Sequence, residues 1–241
     1  MKNKTELNGQ SEDIKKLGEL IEDIEAAVKG MLQSWSNFYF AAAEPGGSVT
    51  VDKPPVGLWL ETASAALLGV SGFAVVLPNL LAGLGSILVL FHLIRRSFGD
   101  WPAVLAALVL ALTPVSIAVE RNNTPDGILV FTLLLAAWAF LKAAETDRLR
   151  WLLVGATLVG IGFNVKMLQA YLPLPAFYAL YLFGSDGRWR HKLLRLVPTT
   201  AVLLTVSLSW AVSVDLTPAA QRPYVGSSTT NSEIELIVGY N

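Results

Sequence analysis

The chain has 241 residues, 53% of them hydrophobic and 15% charged, where a soluble domain carries roughly 25% charged residues. A formal net charge of −1 offers no electrostatic basis for nucleic-acid binding. The lack of cysteine excludes disulfides, thiol nucleophiles and cysteine–zinc sites, and the two histidines, His92 and His191, are too far apart in sequence to suggest a metal cluster.

The charge is distributed unevenly. Residues 73–94, 101–119 and 127–141 contain no Asp, Glu, Lys or Arg. Apolar runs close to 20 residues long are what a helix needs to cross the hydrocarbon core. With a mean hydropathy of +0.51, the expected fold is all-α: a polytopic transmembrane bundle of about six spans, with an interfacial helix and an N-terminal amphipathic helix.

In chain order, residues 11–32 predict the amphipathic helix. Ser11 is a candidate N-cap, and Ile14, Leu17, Ile21, Ile24, Val28 and Met31 form one apolar stripe. Residues 33–55 are irregular and rich in aromatics, which favour the membrane–water interface. Residues 56–70 are apolar but short and carry Glu61, which fits an interfacial or re-entrant segment. Spans follow at 73–94, 102–119, 126–143, 151–165, 168–184 and 194–213. The expected organisation is thus 1–32 amphipathic helix, 33–72 extracytoplasmic loop and interfacial helix, 73–213 transmembrane bundle, and 214–241 an extracytoplasmic tail.

Loop cations set the expected orientation. Arg95 and Arg96, then Lys142, Arg148 and Arg150, then Arg188, Arg190, Lys192 and Arg195 mark three cytoplasmic loops. The opposite side then carries four polar constellations. Asp52-Lys53-Pro54-Pro55 is an acid–cation pair stiffened by proline, with Lys53 suited to a phosphate and Asp52 to a metal or a hydroxyl; a surface turn with a local ion pair is the alternative. Glu120-Arg121-Asn122-Asn123-Thr124-Pro125-Asp126 packs polar groups between two apolar spans, and either binds sugar or phosphate or anchors the interface with Asp126 as a helix cap. Asn164-Val165-Lys166 interrupts apolar sequence, where an ionisable group is a functional candidate unless it snorkels. Arg222-Pro223-Tyr224 precedes a run of hydroxyls and amides that reads as a sugar-binding surface or a polar linker.

Residues 30–40 (GMLQSWSNFYF), 45–60 (PGGSVTVDKPPVGLWL), 111–126 (ALTPVSIAVERNNTPD), 162–178 (GFNVKMLQAYLPLPAFY) and 222–232 (RPYVGSSTTNS) together resemble bacterial membrane glycosyltransferases of the GT-C superfamily, in the family of protein O-mannosyltransferases and lipid A aminoarabinose transferases. The resemblance runs from Lys29 to Asn241. It implies an extracytoplasmic active site in the plasma (inner) membrane, a polyprenyl-phosphate-linked sugar donor, and inverting transfer to a hydroxyl on a glycan, lipid or protein. By match to the family's acid-Lys-Pro motif, Asp52 is the active-site acid or a ligand to a divalent metal, and Lys53 contacts the carrier phosphate. Asp126 falls at a second family acid, and Arg121 and Lys166 line the same cavity; Asn122 and Tyr224 join them as candidate substrate contacts.

The family's first transmembrane helix has no counterpart before Met31. The stretch Leu20-Ile21-Glu22-Asp23-Ile24-Glu25 has acids outside the family's catalytic pattern, so the catalytic base is assigned to none of them. The expectation is a chain truncated at both ends, either active or an inactive fragment. Two other classes fit the residues: a lipid-linked-glycan-binding or transporter-like protein, and a structural membrane protein assembled through the N-terminal stripe. The inverted repeats that would favour a transporter are not visible in the sequence.

Overall fold

Proline and glycine set the helix boundaries in the computed structural model, which describes residues 25–121 and 124–239. The described chain is helical: α1 (25–31), α2 (Trp35–Tyr39), α3 (Pro55–Leu68), α4 (Gly72–Phe98), α5 (Asp100–Leu112), α6 (Pro114–Arg121), α7 (Asp126–Thr146), α8 (Leu149–Lys166), α9 (Leu174–Gly184), α10 (Trp189–Leu216) and α11 (Glu233–Gly239). The all-α polytopic expectation holds. Most of the predicted amphipathic helix lies outside the described residues, although 25–31 are helical.

Among the described residues four stretches are long and apolar enough to cross a membrane, and the pair α5–α6, bent by 59°, makes a fifth if it counts as one span. The bend falls at Pro114, which lacks an N–H and opens α6. The bundle is that of an integral membrane protein: Leu88, Trp101, Leu105 and Val109 expose large apolar side chains that only lipid would cover favourably.

The predicted span 168–184 is not a continuous helix. After α8, Met167 adopts φ +44°, and Met167–Tyr171 form a tight 3₁₀ turn. A Cβ added at Gly162 would sit 3.5 Å from the Ala170 Cβ, whereas eight residues of unbroken helix advance about 12 Å. The chain therefore doubles back. Pro173 and Pro175 prevent the turn from merging into α9. The return path stays against the bundle: Tyr171 packs on Phe163, Phe177 stacks on Phe140, and the Tyr181 hydroxyl donates to Asp147 Oδ1 at 3.0 Å.

Small residues let the central helices approach closely. Ala136, Ala139, Ala143 and Ala156 are buried, and the Phe140 ring occupies the space a Cβ on Gly155 would need, 2.7 Å away. The two ends of the bundle differ. At one, Arg96 pairs with Glu145 at 2.6 Å and Arg195 with Asp147 at 2.6 Å, so the three basic loops converge. At the other, Trp210 Nε1 donates to the Tyr39 carbonyl at 2.9 Å, and residues 48–50 pair with Tyr224.

Candidate active site

The non-basic end gathers three turns. In the first, Pro54 is extended (φ −62°, ψ 153°) and Pro55 opens α3, where its missing N–H would in any case have no partner. This holds Asp52 and Lys53 just ahead of the helix. Lys53 Nζ lies 3.5 Å from Asp52 Oδ1, with both side chains partly exposed. In the second turn, Asp126 is the first residue of α7, where the helix dipole favours an acid. In the third, Lys166 is the last residue of α8, where the dipole favours a cation.

The structure joins these turns. Lys166 Nζ ion-pairs with Asp126 Oδ1, and both side chains are about two-thirds or more covered. Gly57, one turn into α3, meets Pro125: a Cβ there would stand 2.7 Å from the Pro125 Cβ. Glycine thus allows the Asp52-Lys53 helix to lie directly against the residue preceding Asp126. Pro54 shares a small cavity with Asn164 and Met167, the two sides of the Lys166 turn.

Asn164 has a structural task. Its buried Nδ2 donates to the carbonyls of Gly160 (3.0 Å), Val206 (2.9 Å) and Ser207 (3.2 Å), tying α8 to α10. Tyr224 is also committed elsewhere. Its backbone bonds Ser48 and Thr50, each at 2.8 Å, and its hydroxyl donates to the Ser228 carbonyl at 3.0 Å. The 222–232 tail is therefore a closed loop pinned to residues 48–50. Arg222 donates to Asn231 at 2.9 and 2.7 Å, and Gly226 N donates to Thr50 Oγ1 at 3.0 Å. Arg121 ends α6, and Asn122 lies outside the described residues.

Two acids beyond the predicted set sit here. Glu233 is 1% exposed, lines the cavity beside Pro54, and has a buried Oε1 without a hydrogen-bond partner. Burial pushes its carboxyl up to about 8; the neighbouring Asp215 adds to the rise, Arg222 opposes it, and Asp52 adds further. Glu233 thus stands in the field of Asp52. Asp215, at the end of α10, accepts from Ser232 Oγ (2.6 Å) and Glu233 N (2.8 Å) and fixes the start of α11. The second acid is Glu120, whose carboxyl lies against Gly83 of α4. Glu120, Ser86, Ser116 and Asp126 line a cavity of about 220 Å³. The sequence signalled Glu120 by its place in a polar turn, but nothing around Glu233 set it apart from the hydroxyl run before it.

Asp52 was also a candidate metal ligand. Among the described residues no three His, Cys, Asp or Glu side chains converge.

Chemically, this end offers a cation beside a proline-stiffened turn, a carboxylate–ammonium pair one helix away, and a polar cavity behind it. Comparison with known proteins places the chain in a family. The chain is 49% identical over 216 residues to a Bacillus subtilis (strain 168) protein provisionally named mannosyltransferase YkcB, covering 90% of this chain and 30% of that one. It is 31% identical over 169 residues to the undecaprenyl phosphate-alpha-4-amino-4-deoxy-L-arabinose arabinosyl transferase of Pseudomonas paraeruginosa (strain DSM 24068 / PA7), covering 68% of this chain and 30% of that one. The chain thus spans about a third of the length of these relatives. The crystal structure of ArnT from Cupriavidus metallidurans in the apo state superposes with a TM-score of 0.56 at 20% identity, over 86% of this chain and 42% of that one, which shows a shared fold. Residues 52–210, beginning at Asp52 and covering more than half of the chain, match the family described as dolichyl-phosphate-mannose-protein mannosyltransferase, and the chain belongs to that family.

Proposed function

We propose that this chain carries the donor-side half of a membrane glycosyltransferase site, which moves a sugar from a polyprenyl-phosphate carrier to an acceptor hydroxyl on the extracytoplasmic side of the plasma (inner) membrane. The observation that carries this reading is the Asp126–Lys166 ion pair, packed through Pro125 and Gly57 against the Asp52-Lys53 turn. These residues all lie inside the family match.

Lys53 and Lys166 supply positive charge where the carrier phosphate departs with the bonding electron pair, and Arg121 adds to it from the end of α6. Asp126 takes the proton from the acceptor hydroxyl as the acceptor oxygen bonds the anomeric carbon, which inverts that centre. Asp52 orients Lys53. Asn122, next to Arg121, is a sugar contact. Tyr224 acts through the loop it pins to residues 48–50. The family description and the arabinosyl transferase's name supply the candidate donors, mannose on dolichyl phosphate and aminoarabinose on undecaprenyl phosphate.

The test is transfer from these two donors by the purified chain in lipid nanodiscs, read as released polyprenyl phosphate. Asp126→Asn should lower the rate about 100-fold or more, the range of a lost general base. Transfer that survives both Asp126→Asn and Asp52→Asn rejects the site. Donor binding without turnover favours a lipid-linked-glycan-binding protein.

A further inference from the structure

Glu61 and Asn79 form a buried pair that the transfer chemistry does not use. Glu61, on α3, is 1% exposed, and Asn79, on α4, is fully buried. Asn79 Nδ2 approaches Glu61 Oε1 at 3.4 Å, while Glu61 Oε2 and Asn79 Oδ1 are both buried without a hydrogen-bond partner. Two orphaned oxygens on one pair are costly if Glu61 is a carboxylate, because neither can donate to the other. A single proton removes the problem. On Glu61 Oε2 it would let the acid donate to Asn79 Oδ1, so that acid and amide close a cyclic pair with all four polar atoms satisfied.

We propose that Glu61 is a neutral carboxylic acid in a cyclic hydrogen-bonded pair with the Asn79 amide, and that this pair is a positioning clip that sets the Asp52-Lys53 turn against Asp126. The surroundings agree. Glu120 on α6 comes to this junction, since a Cβ on Gly127 would stand 3.3 Å from Asn79 Oδ1 and 3.7 Å from Glu120 Cγ; Asp126 on α7 is paired with Lys166, and no described cation pairs with Glu61. From α1 the junction meets apolar Val28 and Met31. The α3 helix is too short to span, and burial alone pushes its Glu61 carboxyl up to about 8.

The geometry connects the clip to the site on both sides. The α3 helix starts at Pro55, directly after Asp52-Lys53-Pro54. Asn79 presents its carbonyl and Oδ1 to Gly127, where a Cβ would stand 3.2 and 3.3 Å away, and Gly127 follows Asp126. A shift of α3 against α4 therefore moves Lys53 relative to Asp126.

The positioning part of this inference rests on the transfer reading; the protonation part does not. Infrared difference spectra of the full chain in nanodiscs at neutral pH, wild type minus Glu61→Gln, should show one protonated-carboxyl carbonyl band. In Asn79→Leu that band should move to higher frequency, as an acid does on losing its acceptor. In the transfer assay Glu61→Ala should cost about tenfold or more, and Glu61→Gln, a neutral amide of the same shape, should restore the rate to near wild type. Absence of the band from the wild-type-minus-Glu61→Gln spectrum overturns the proposal, as does a Gln variant as impaired as Ala. A band present in a wild-type protein that transfers nothing rejects the transfer reading and leaves the neutral pair standing.

Discussion

Lys166 closes α8 and Asp126 opens α7, and the two meet in an ion pair across forty residues of chain. Each stands at the helix end whose dipole favours its charge. The pair therefore holds both charges where they are needed, about two-thirds or more covered and beside the Asp52-Lys53 turn. Because the residues act together, their substitutions should not add. Asp126→Asn and Lys166→Met should each abolish most transfer, and the double variant should be no slower than the worse single. A double variant slower by the product of the two effects would show that the residues work independently.

Glu233 predicts a pH dependence of stability. Its carboxyl is raised from 4.5 to about 8, so the folded chain holds a proton that the unfolded chain has already lost. Stability contributed by that proton is complete below about pH 4.5 and declines as pH rises toward about 8. Thermal unfolding in detergent at pH 5 and pH 8 should show a fall for the wild type that Glu233→Gln flattens. Equal slopes in the two proteins would place Glu233 in a wetter environment than the structure gives it.

Glu235 acts in the opposite sense on the same tail. Hydrogen bonds from the hydroxyls and N–H groups of Thr229 and Thr230 hold its carboxyl, which is only partly covered, down to about 2. These contacts are present above the usual carboxylate range and are lost as pH falls toward 2. Glu235→Ala should free residues 227–232, seen as faster amide exchange in that segment with little change in α7–α8.

Several parts of this picture were readable from residue order, for identifiable reasons. Lys166 stands out because it interrupts apolar sequence, and Asp126 because it closes a short polar turn between two apolar spans; snorkelling and helix capping are the bland alternatives. The bundle was legible from its charge-free runs. The 167–184 return path was not: hydropathy does not distinguish a straight span from one that doubles back, and the reversal depends on Met167 at positive φ and contact between Gly162 and Ala170. Tyr224 reads as a candidate substrate contact because its polar atoms are visible in the sequence, but its partner, the chain's own loop, is not, and the distant carbonyls that Asn164 binds are equally invisible there. Glu233 was hidden for the converse reason. Its burial comes from α10 and Pro54, far away in sequence.

Asn164 gives a stability prediction distinct from the site. Its amide satisfies three carbonyls between α8 and α10. Asn164→Leu should cost about 1–3 kcal/mol, the loss of the hydrogen bonds that tie α8 to α10. The loss should appear as a lower unfolding temperature, with donor affinity unchanged in the fraction that remains folded.

Gly83 separates function from stability more sharply. A Cβ at this position would stand 2.1 Å from the Glu120 carboxyl carbon and within 2.4 Å of both its oxygens. What it meets is the end of a flexible side chain, which can swing away, so Gly83→Ala should fold and unfold much as the wild type does. The displaced carboxyl stays near the cavity it shares with Ser86, Ser116 and Asp126. Transfer should therefore fall while the unfolding temperature holds. Gly160→Ala is the contrasting case. Its Cβ would meet Val206 at 2.8 Å and the Leu203 carbonyl at 3.2 Å, both fixed on α10. There the helices must separate, and the expected result is lost stability, of about 1–3 kcal/mol for an overpacked contact. If Gly83→Ala destabilises as much as Gly160→Ala, Glu120 is locked in place and is part of the packing.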